Sequence, residues 1–278
     1  MKKLLAVLLA SLLLLITGCG SQNATSSAKE VKTIKLGISG SDTRVWDFVK
    51  QKAEKEGINI EIVKFSDYVQ PNIALAEGEI DANAFQTAAY FNAFKKERNL
   101  DLTAIGTTVI APMGVYSKKI KSVKELKEGD EIAVPNDITN LGRALLLLEK
   151  AGLIKLKEGF DGKGGVENII ENPKKLKITP VVAGQTPRAL DDVAASVINN
   201  GIAVDAGLNP SKDPIFREDK TAKPYINLIA TQTKRKNDKT LQKLVEIYQT
   251  EEVANFIKET YKGALIPTFV PVKEIENV

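Results

Sequence analysis

The chain has 278 residues, of which 43% are apolar and 27% charged, the proportions of a globular protein with one large or two ordinary domains. Its formal charge is +4, or +2 without Lys2 and Lys3 (4 − 2), which gives no reason to expect a nucleic-acid partner. It has no histidine and one cysteine, so Ser-His-Asp and Cys-His catalysis and the usual zinc sites are excluded. Carboxylate or lysine catalysis and an oxygen-ligand metal site stay open, but no spacing indicates either. We expect no metal and no cofactor.

The N-terminus is organised like a secretion signal. Two lysines precede the apolar run Leu4–Ile16, which is too short to span a bilayer comfortably, and Thr17-Gly18 offers the small residues that a signal peptidase needs. The following Cys19 resembles the lipid-attachment cysteine of bacterial lipoproteins. We therefore predict a signal peptide over 1–18, a lipidated (palmitate-bearing) Cys19, and a polar tether over 19–30 that holds the protein on the outer side of a membrane. The alternative is an ordinary secretory signal with an incidental cysteine.

The first elements after the tether read as β-α-β. Residues 33–38 alternate polar and apolar, 45–56 have helical spacing and stop at Gly57, and 58–65 alternate again. This order favours an α/β fold with a largely parallel sheet. Further strands are predicted over 80–85, 102–110, 114–117, 131–134, 176–182, 194–198 and 225–230, and helices over 71–77, 88–98, 122–127, 140–156 (capped by Thr139), 189–192 and 240–262.

No Pro/Gly-rich linker divides the chain, which favours two lobes joined by two crossings. The predicted boundaries are 31–111 plus 228–278 for the first lobe and 112–227 for the second.

Four segments resemble the NlpA/MetQ family of methionine-binding lipoproteins that serve ABC importers. They are FSDYVQPNIALAEGEIDANAFQ at 65–86, PMGVYSKK at 112–119, VPNDITNLGR at 134–143 and SVIN at 196–199. The resemblance runs from the lipidation signal almost to the C-terminus. It implies an α/β, two-lobed periplasmic-binding-protein fold of type II, with two crossovers between the lobes and the ligand in the cleft between them.

An amino-acid ligand needs a cation, hydrogen-bonding groups and an apolar wall. Arg143 is the candidate cation, because a guanidinium at a helix start can grip a carboxylate with two hydrogen bonds. Its alternative role is a surface arginine paired with a nearby acid. Asn140 and Asn199 match family positions that meet the ligand's backbone atoms, although on local sequence a helix cap and a strand-end turn are equally good interpretations.

The apolar wall is assigned to Tyr68, Phe85 and Tyr90, whose rings suit a thioether. Core packing is the alternative, most of all for Phe85. Thr87 is included in the site, but the sequence departs from the family there, since many methionine binders carry histidine at this position. Ile202 likewise stands where tyrosine is common. The pocket is therefore expected to be larger, less polar, or suited to a different ligand.

The resemblance implies an extracytoplasmic, membrane-anchored, monomeric solute-binding protein. It would capture L-methionine and deliver it to an ABC permease whose ATPase is a separate chain, since no GxxxxGK[ST] segment is present here. Three alternatives stay open. They are the same class with a methionine-containing dipeptide or another apolar amino acid as ligand, an enzyme using Asp67, Asp81 or Asp137, and an adhesin. We expect no enzymatic activity.

Overall fold

A computed structural model describes residues 31–219, 223–276 and 278, and Val31–Val278 forms one compact unit. The predictions for the signal peptide, Cys19 and the tether lie outside the described residues. Across those residues, no helix has the combination of length and apolar character that crossing a bilayer requires.

The strands belong to two main sheets and one short ribbon. In chain order they are β1 (Lys32–Ser39), β2 (Ile58–Phe65), β3 (Ala82–Asn83), β4 (Leu102–Ile110), β5 (Gly114–Tyr116), β6 (Glu131–Pro135), β7 (Lys155–Leu156), β8 (Ile169–Glu171), β9 (Lys177–Val181), β10 (Ala195–Ile198), β11 (Phe216–Arg217), β12 (Ile226–Gln232) and β13 (Ile266–Pro267). The six-stranded sheet has the order β13-β4-β12-β3-β1-β2, and the five-stranded sheet has the order β11-β5-β10-β6-β9. Strands β7 and β8 form the ribbon.

The α-helices surround these sheets. They are α1 (Arg44–Lys55), α2 (Gln70–Glu77), α3 (Ala88–Glu97), α4 (Ile138–Lys150), α5 (Asn200–Asp205), α6 (Lys239–Tyr248) and α7 (Glu251–Tyr261). Short 3-10 turns occupy Val123–Glu125, Val166–Asn168, Ala183–Gln185, Arg188–Asp191, Lys223–Tyr225, Thr233–Arg235 and Val272–Glu274.

Each main sheet carries its own lobe. Strands β1 to β4 build the six-stranded sheet, β5, β6 and β9 to β11 build the other, and β12 and β13 return to the first. The chain therefore passes between the lobes twice, as the family resemblance implied. The residue boundaries of the lobes stay a prediction.

The prediction of a largely parallel sheet was wrong. Strand β1 is parallel to β2 and β3, but β12 is antiparallel to both β3 and β4. The reason is topological, because β12 enters the sheet on the return from the second lobe and runs against the strands that precede the first crossing.

Several element boundaries also differ from the predictions. The single helix predicted over 240–262 is two helices, because Thr250 Oγ1 accepts a hydrogen bond from Val253 N (3.4 Å) and starts α7. Helix α4 begins at Ile138 and is capped by Asp137 rather than Thr139. The strand predicted over 80–85 is reduced to β3, the helices predicted over 122–127 and 189–192 are 3-10 turns, and 200–205 forms the unpredicted helix α5.

Each of the two lobes is stabilised by its own apolar clusters. In the first lobe, α1, α6 and α7 cover one face of the sheet, and Trp46 of α1 packs on Tyr248 of α6 with ring centroids 4.8 Å apart. A second cluster, containing Leu75 of α2 and Phe91 of α3, covers the other face. In the second lobe, α4 packs its leucines against β5, β6 and β10. Each lobe thus has its own core, and the space between the lobes is free to bind a ligand.

Candidate functional site

A cavity of about 180 Å³ lies between the two lobes. Its rim is made where strands end and helices begin, since β1 leads toward α1, β6 toward α4 and β10 toward α5. Ligands of α/β proteins generally bind at such strand ends, where backbone N–H groups of the helix starts face the ligand. All seven residues predicted to bind the ligand line this cavity: Tyr68, Phe85, Thr87, Tyr90, Asn140, Arg143 and Asn199.

The three aromatic side chains form a triangle on the first lobe. The ring centroids of Tyr68 and Phe85 lie 6.0 Å apart, those of Tyr68 and Tyr90 6.0 Å, and those of Phe85 and Tyr90 6.3 Å. The Tyr90 hydroxyl donates to the Tyr68 carbonyl oxygen at 2.9 Å, which ties the two segments together. Burial, and secondarily the nearby carboxylates of Asp137 and Asp205, raises the pKa of the Tyr68 phenol, so this hydroxyl stays protonated at neutral pH. Phe85 and Tyr68 are only half-buried, so both rings keep area free for a ligand.

A buried network of amide side chains stabilises the segment that carries Phe85. Asn72 and Gln86 exchange two hydrogen bonds of 2.7 Å, and Gln86 Nε2 also donates to Asn83 Oδ1 at 2.9 Å. Asn83 Nδ2 in turn donates to Asn72 Oδ1 at 2.9 Å. Because each of these buried side chains has partners, the network fixes the backbone on which Phe85 is presented. The sequence analysis did not identify it.

Arg143 is buried, with 3% of its side chain exposed, and is already paired with an acid of its own chain. Its Nε and Nη2 donate to the two carboxylate oxygens of Glu218 at 2.8 and 2.5 Å, and Nη2 also donates to the Ala111 carbonyl oxygen at 3.0 Å. Within the described part of the chain, Nη1 has no hydrogen-bond partner. The free edge of the guanidinium is therefore the edge that carries Nη1.

An aromatic ring lies against this guanidinium, and the helix that carries it packs closely on a neighbouring loop. The guanidinium carbon lies 4.3 Å from the centroid of the Tyr225 ring, a cation–π distance. Next to it in α4, Gly142 lets the helix approach the loop at Gly162 closely, because a β-carbon at Gly142 would overlap the Gly162 carbonyl oxygen. A glycine in mid-helix normally weakens a helix, so its presence beside Arg143 is explained by this approach.

Asp137, Asn140 and Asn199 form a chain of hydrogen bonds, here called the polar chain. Asn140 Nδ2 donates to both carboxylate oxygens of Asp137 at 3.0 Å, and Asn199 Nδ2 donates to Asn140 Oδ1 at 2.8 Å. Since the Asp137 carboxylate only accepts, it fixes the direction of Asn140, which then fixes the direction of Asn199. Asn199 Oδ1 is left buried and without a partner among the described residues.

The helix-cap alternative for Asn140 is wrong, whereas Asn199 does lie at a strand end, between β10 and α5. Asn199 precedes α5 at the capping position, but its side chain makes no capping hydrogen bond. Asn140 lies inside α4 and is not the cap. An unpaired acceptor in a cavity costs free energy unless a ligand satisfies it, so Asn199 Oδ1 is suited to accept from an ammonium group.

Thr87 is committed to its own helix. Its Oγ1 accepts from Tyr90 N at 3.2 Å and caps α3, which leaves one hydroxyl donor for a ligand. Ile202, the other departure from the family, also lines the cavity.

The structure adds site residues that the sequence analysis missed. Glu218 pairs with Arg143 from 75 positions away, a separation that leaves no local signal. Asn227 of β12 lines the cavity beside Thr87, with which its backbone forms an isolated bridge. Trp46 and Tyr261 complete the first-lobe wall.

The acids considered for catalysis have structural partners. Asp67 accepts from the backbone N–H groups of Val69 and Gln70, and Asp81 is paired with Arg235. Among the described residues, no three acidic side chains lie together as a metal-binding group.

A cleft between two lobes joined by two crossings, lined by an arginine, by an acceptor left unpaired among the described residues and by an aromatic wall, defines a substrate-binding protein of the periplasmic-binding-protein type II fold. Residues 34–269 match the family described as NlpA lipoprotein. The chain belongs to this family.

Relatives and solved structures agree with this membership. The D-methionine-binding lipoprotein MetQ of Escherichia coli is 45% identical over 257 residues, covering 91% of this chain and 93% of the relative. The structure of protein PG110 from Staphylococcus aureus has a TM-score of 0.84 and 46% identity over 87% of this chain and 98% of its own. A nutrient-binding protein from Burkholderia cenocepacia, solved bound to methionine, has a TM-score of 0.81 and 48% identity over 85% of this chain and 100% of its own.

Proposed function

We propose that this protein captures L-methionine outside the cytoplasmic membrane and passes it to an ABC permease driven by a separate ATPase. The observation that carries the proposal is the lining of one cavity. Arg143 Nη1 makes no hydrogen bond to the described residues, Asn199 Oδ1 is buried and unpaired among them, and Tyr68, Phe85 and Tyr90 form the aromatic triangle. A monomer that binds without turnover fits this role. The names of the relatives, which include methionine-binding lipoproteins, support it.

Each part of the ligand has a counterpart in the cavity. The ligand carboxylate would accept from Arg143 Nη1, and its ammonium would donate to Asn199 Oδ1. The Arg143–Glu218 pair is formally neutral, and so is the zwitterion, so binding adds no net charge there. The thioether would lie against the aromatic triangle, where sulfur–ring contacts contribute about 0.3–1.5 kcal/mol each.

Calorimetry should find that L-methionine binds more tightly than norleucine, in which a methylene replaces the sulfur, and more tightly than leucine. The absence of one sulfur–ring interaction should weaken binding by about twofold to tenfold. D-methionine and glycyl-methionine complete the series, because relatives are named for the D-isomer and Thr87 departs from the family. If glycyl-methionine binds more tightly than L-methionine, the ligand is a dipeptide and not the free amino acid. Equal binding of norleucine would remove the role of the thioether.

We further propose that lipid on Cys19 anchors the protein to the membrane. The family is one of lipoproteins, and Cys19 follows an apolar run and two small residues. The tether over 19–30 would let the lobes reach a permease.

Cys19→Ser should move the protein from the membrane fraction to the soluble fraction, because the thiol that carries the lipid is removed. Detergent partitioning of cell fractions measures this. Ser21→Ala in the tether is the matched control and should stay in the membrane fraction. If the serine variant partitions like the wild type, lipidation at Cys19 is wrong.

A further inference from the structure

Helix α5 of the second lobe contacts the first lobe at both ends. At its start, Asn200 Nδ2 donates to the Ala264 carbonyl oxygen at 2.8 Å and, more weakly, to the Pro112 carbonyl oxygen at 3.4 Å, close to the first crossing. At its end, Asp205 Oδ1 accepts from Ser41 N at 2.8 Å and from Ser41 Oγ at 2.6 Å. We name this last contact the Ser41–Asp205 latch.

The latch is built at the edge of the cavity and in contact with solvent. Both residues are exposed, and Asp205 also lines the cavity. Ser41 lies in the loop between β1 and α1, which belongs to the first lobe, so the contact has to break when the lobes separate. A contact that exists only while the lobes are together stabilises that arrangement.

Gly40 lets Asp205 come this close. Its φ is +95°, a conformation that favours glycine, and a β-carbon there would lie 2.7 Å from Asp205 Oδ2. The loop is thus shaped to receive the carboxylate, with two donors on one oxygen.

We propose that Asp205 determines affinity by holding the lobes closed over the ligand, without itself binding the ligand's polar groups. The inference rests on the proposed function for the identity of its ligand. Opening precedes release, so removal of the latch should act mainly on the dissociation rate.

The test measures L-methionine release from the full-length protein in detergent by stopped flow. Trp46, the only tryptophan in the chain, lines the cavity, so its fluorescence reports binding. Asp205→Ala should raise the dissociation rate by about threefold to tenfold, as expected for hydrogen bonds at an exposed site. Asp205→Asn should give a smaller rise, because it keeps the shape and removes the charge. Asp192→Ala, an exposed aspartate on the same lobe, is the control.

A double-mutant cycle with Ser41→Ala identifies the partner. If the hydroxyl and the carboxylate interact, Ser41→Ala should have little further effect in the Asp205→Ala background. A dissociation rate for Asp205→Ala equal to that of Asp192→Ala, with both folded by their melting temperatures, would overturn the latch. Should Asp205→Ala fail to fold, Asp205→Asn decides by the same comparison.

A wrong ligand assignment would give a different result from a wrong latch. If wild-type protein does not bind L-methionine, the ligand assignment is wrong, and the latch is then tested by small-angle scattering of the ligand-free protein. The latch needs no ligand, so Asp205→Ala should have a larger mean radius of gyration than the wild type and Asp192→Ala. Equal radii would overturn the latch in that case.

Discussion

Arg143→Met should weaken L-methionine binding by about 30-fold to several-thousand-fold, the cost of truncating one partner of a buried charge pair. Methionine keeps the unbranched stem of the side chain as far as the position of Nε but removes every donor. Two effects combine, because the ligand carboxylate no longer has Nη1 as a donor and the Glu218 carboxylate is left without its cation. Calorimetry measures the affinity, and Arg188→Met, on an exposed arginine, is the control.

The same substitution should destabilise the fold. Glu218 is only 13% exposed, and an uncompensated buried charge typically costs about 3–5 kcal/mol. The double variant Arg143→Met/Glu218→Gln should recover most of the melting temperature, since glutamine is uncharged and still accepts from Met113 N, which now donates to Glu218 at 2.8 Å. It should not recover binding.

This pair of variants separates a binding role from a structural role. If the double variant binds L-methionine as well as the wild type, Arg143 is needed only to neutralise Glu218. If Arg143→Met itself binds within a fewfold of the wild type, the guanidinium does not hold the ligand and the site has to be reassigned.

Asn199→Ala should weaken binding by about tenfold to 150-fold, the value of a hydrogen bond to a charged group. The acceptor removed is the one that the structure leaves buried and unpaired among the described residues. Calorimetry is the measurement, and Asn255→Ala, on an exposed asparagine of α7, is the control.

Asn199→Asp provides the sharper experiment. If the site needs only an acceptor near the ammonium, aspartate should bind as well as asparagine or better. The polar chain predicts the opposite, because an aspartate cannot donate to Asn140 Oδ1, and Asn140 cannot turn without facing its oxygen toward Asp137. We therefore expect Asn199→Asp to bind as poorly as Asn199→Ala.

Reversing the polarity of the polar chain should restore part of the affinity. In the double variant Asp137→Asn/Asn199→Asp, the amide introduced at position 137 can donate to Asn140 Oδ1, and Asn140 Nδ2 can then donate to the carboxylate introduced at position 199. Asparagine caps a helix about as well as aspartate, so α4 keeps its start. Wild-type affinity in the single variant Asn199→Asp would show that the polar chain does not set the direction of Asn199.

Closure of the two lobes connects the predictions for Asn199 with the one for Asp205. Asn199 immediately precedes α5, Asp205 ends it, and the helix spans only about 8 Å at 1.5 Å per residue. The acceptor offered to the ligand and the latch that holds the lobes together are therefore on one short rigid element. A ligand that draws Asn199 toward it would favour the position in which Asp205 reaches Ser41.

The local elements were predictable because their signals are local. Strands β2 and β4 have the predicted bounds, since alternation of apolar residues identifies a half-buried strand and Gly57 marks the end of the helix before β2. Tyr68, Phe85, Asn140 and Asn199 were assigned to the site from the family motifs, and the structure brings them to one cavity together with Tyr90. Their role in binding stays a prediction. Asp137, which directs the polar chain, was considered only as a possible catalytic acid.

Other features depended on residues far apart in the sequence. The direction of β12 follows from the return of the chain to the first lobe, and the break between α6 and α7 follows from Thr250 and from Gln249, which donates to the Thr107 carbonyl oxygen at 2.9 Å. The direction of β12 and the contact between Gln249 and Thr107 are not visible in a window of neighbouring residues, whereas the cap by Thr250 on Val253 is a local signal that the sequence analysis missed.

The sequence by itself determined the class of fold, the family and the chemical types that the site contains, because periodicity, punctuation by glycine and extended motifs are properties of neighbouring residues. Only the tertiary structure decided which atoms are free for a ligand. Arg143 offers Nη1 because Glu218, 75 positions away, occupies its other edge, and Asn199 offers an oxygen because Asp137 directs the polar chain. Hydrogen-bond capacity is assigned by whichever groups meet in space, and separation along the chain does not limit which groups those are.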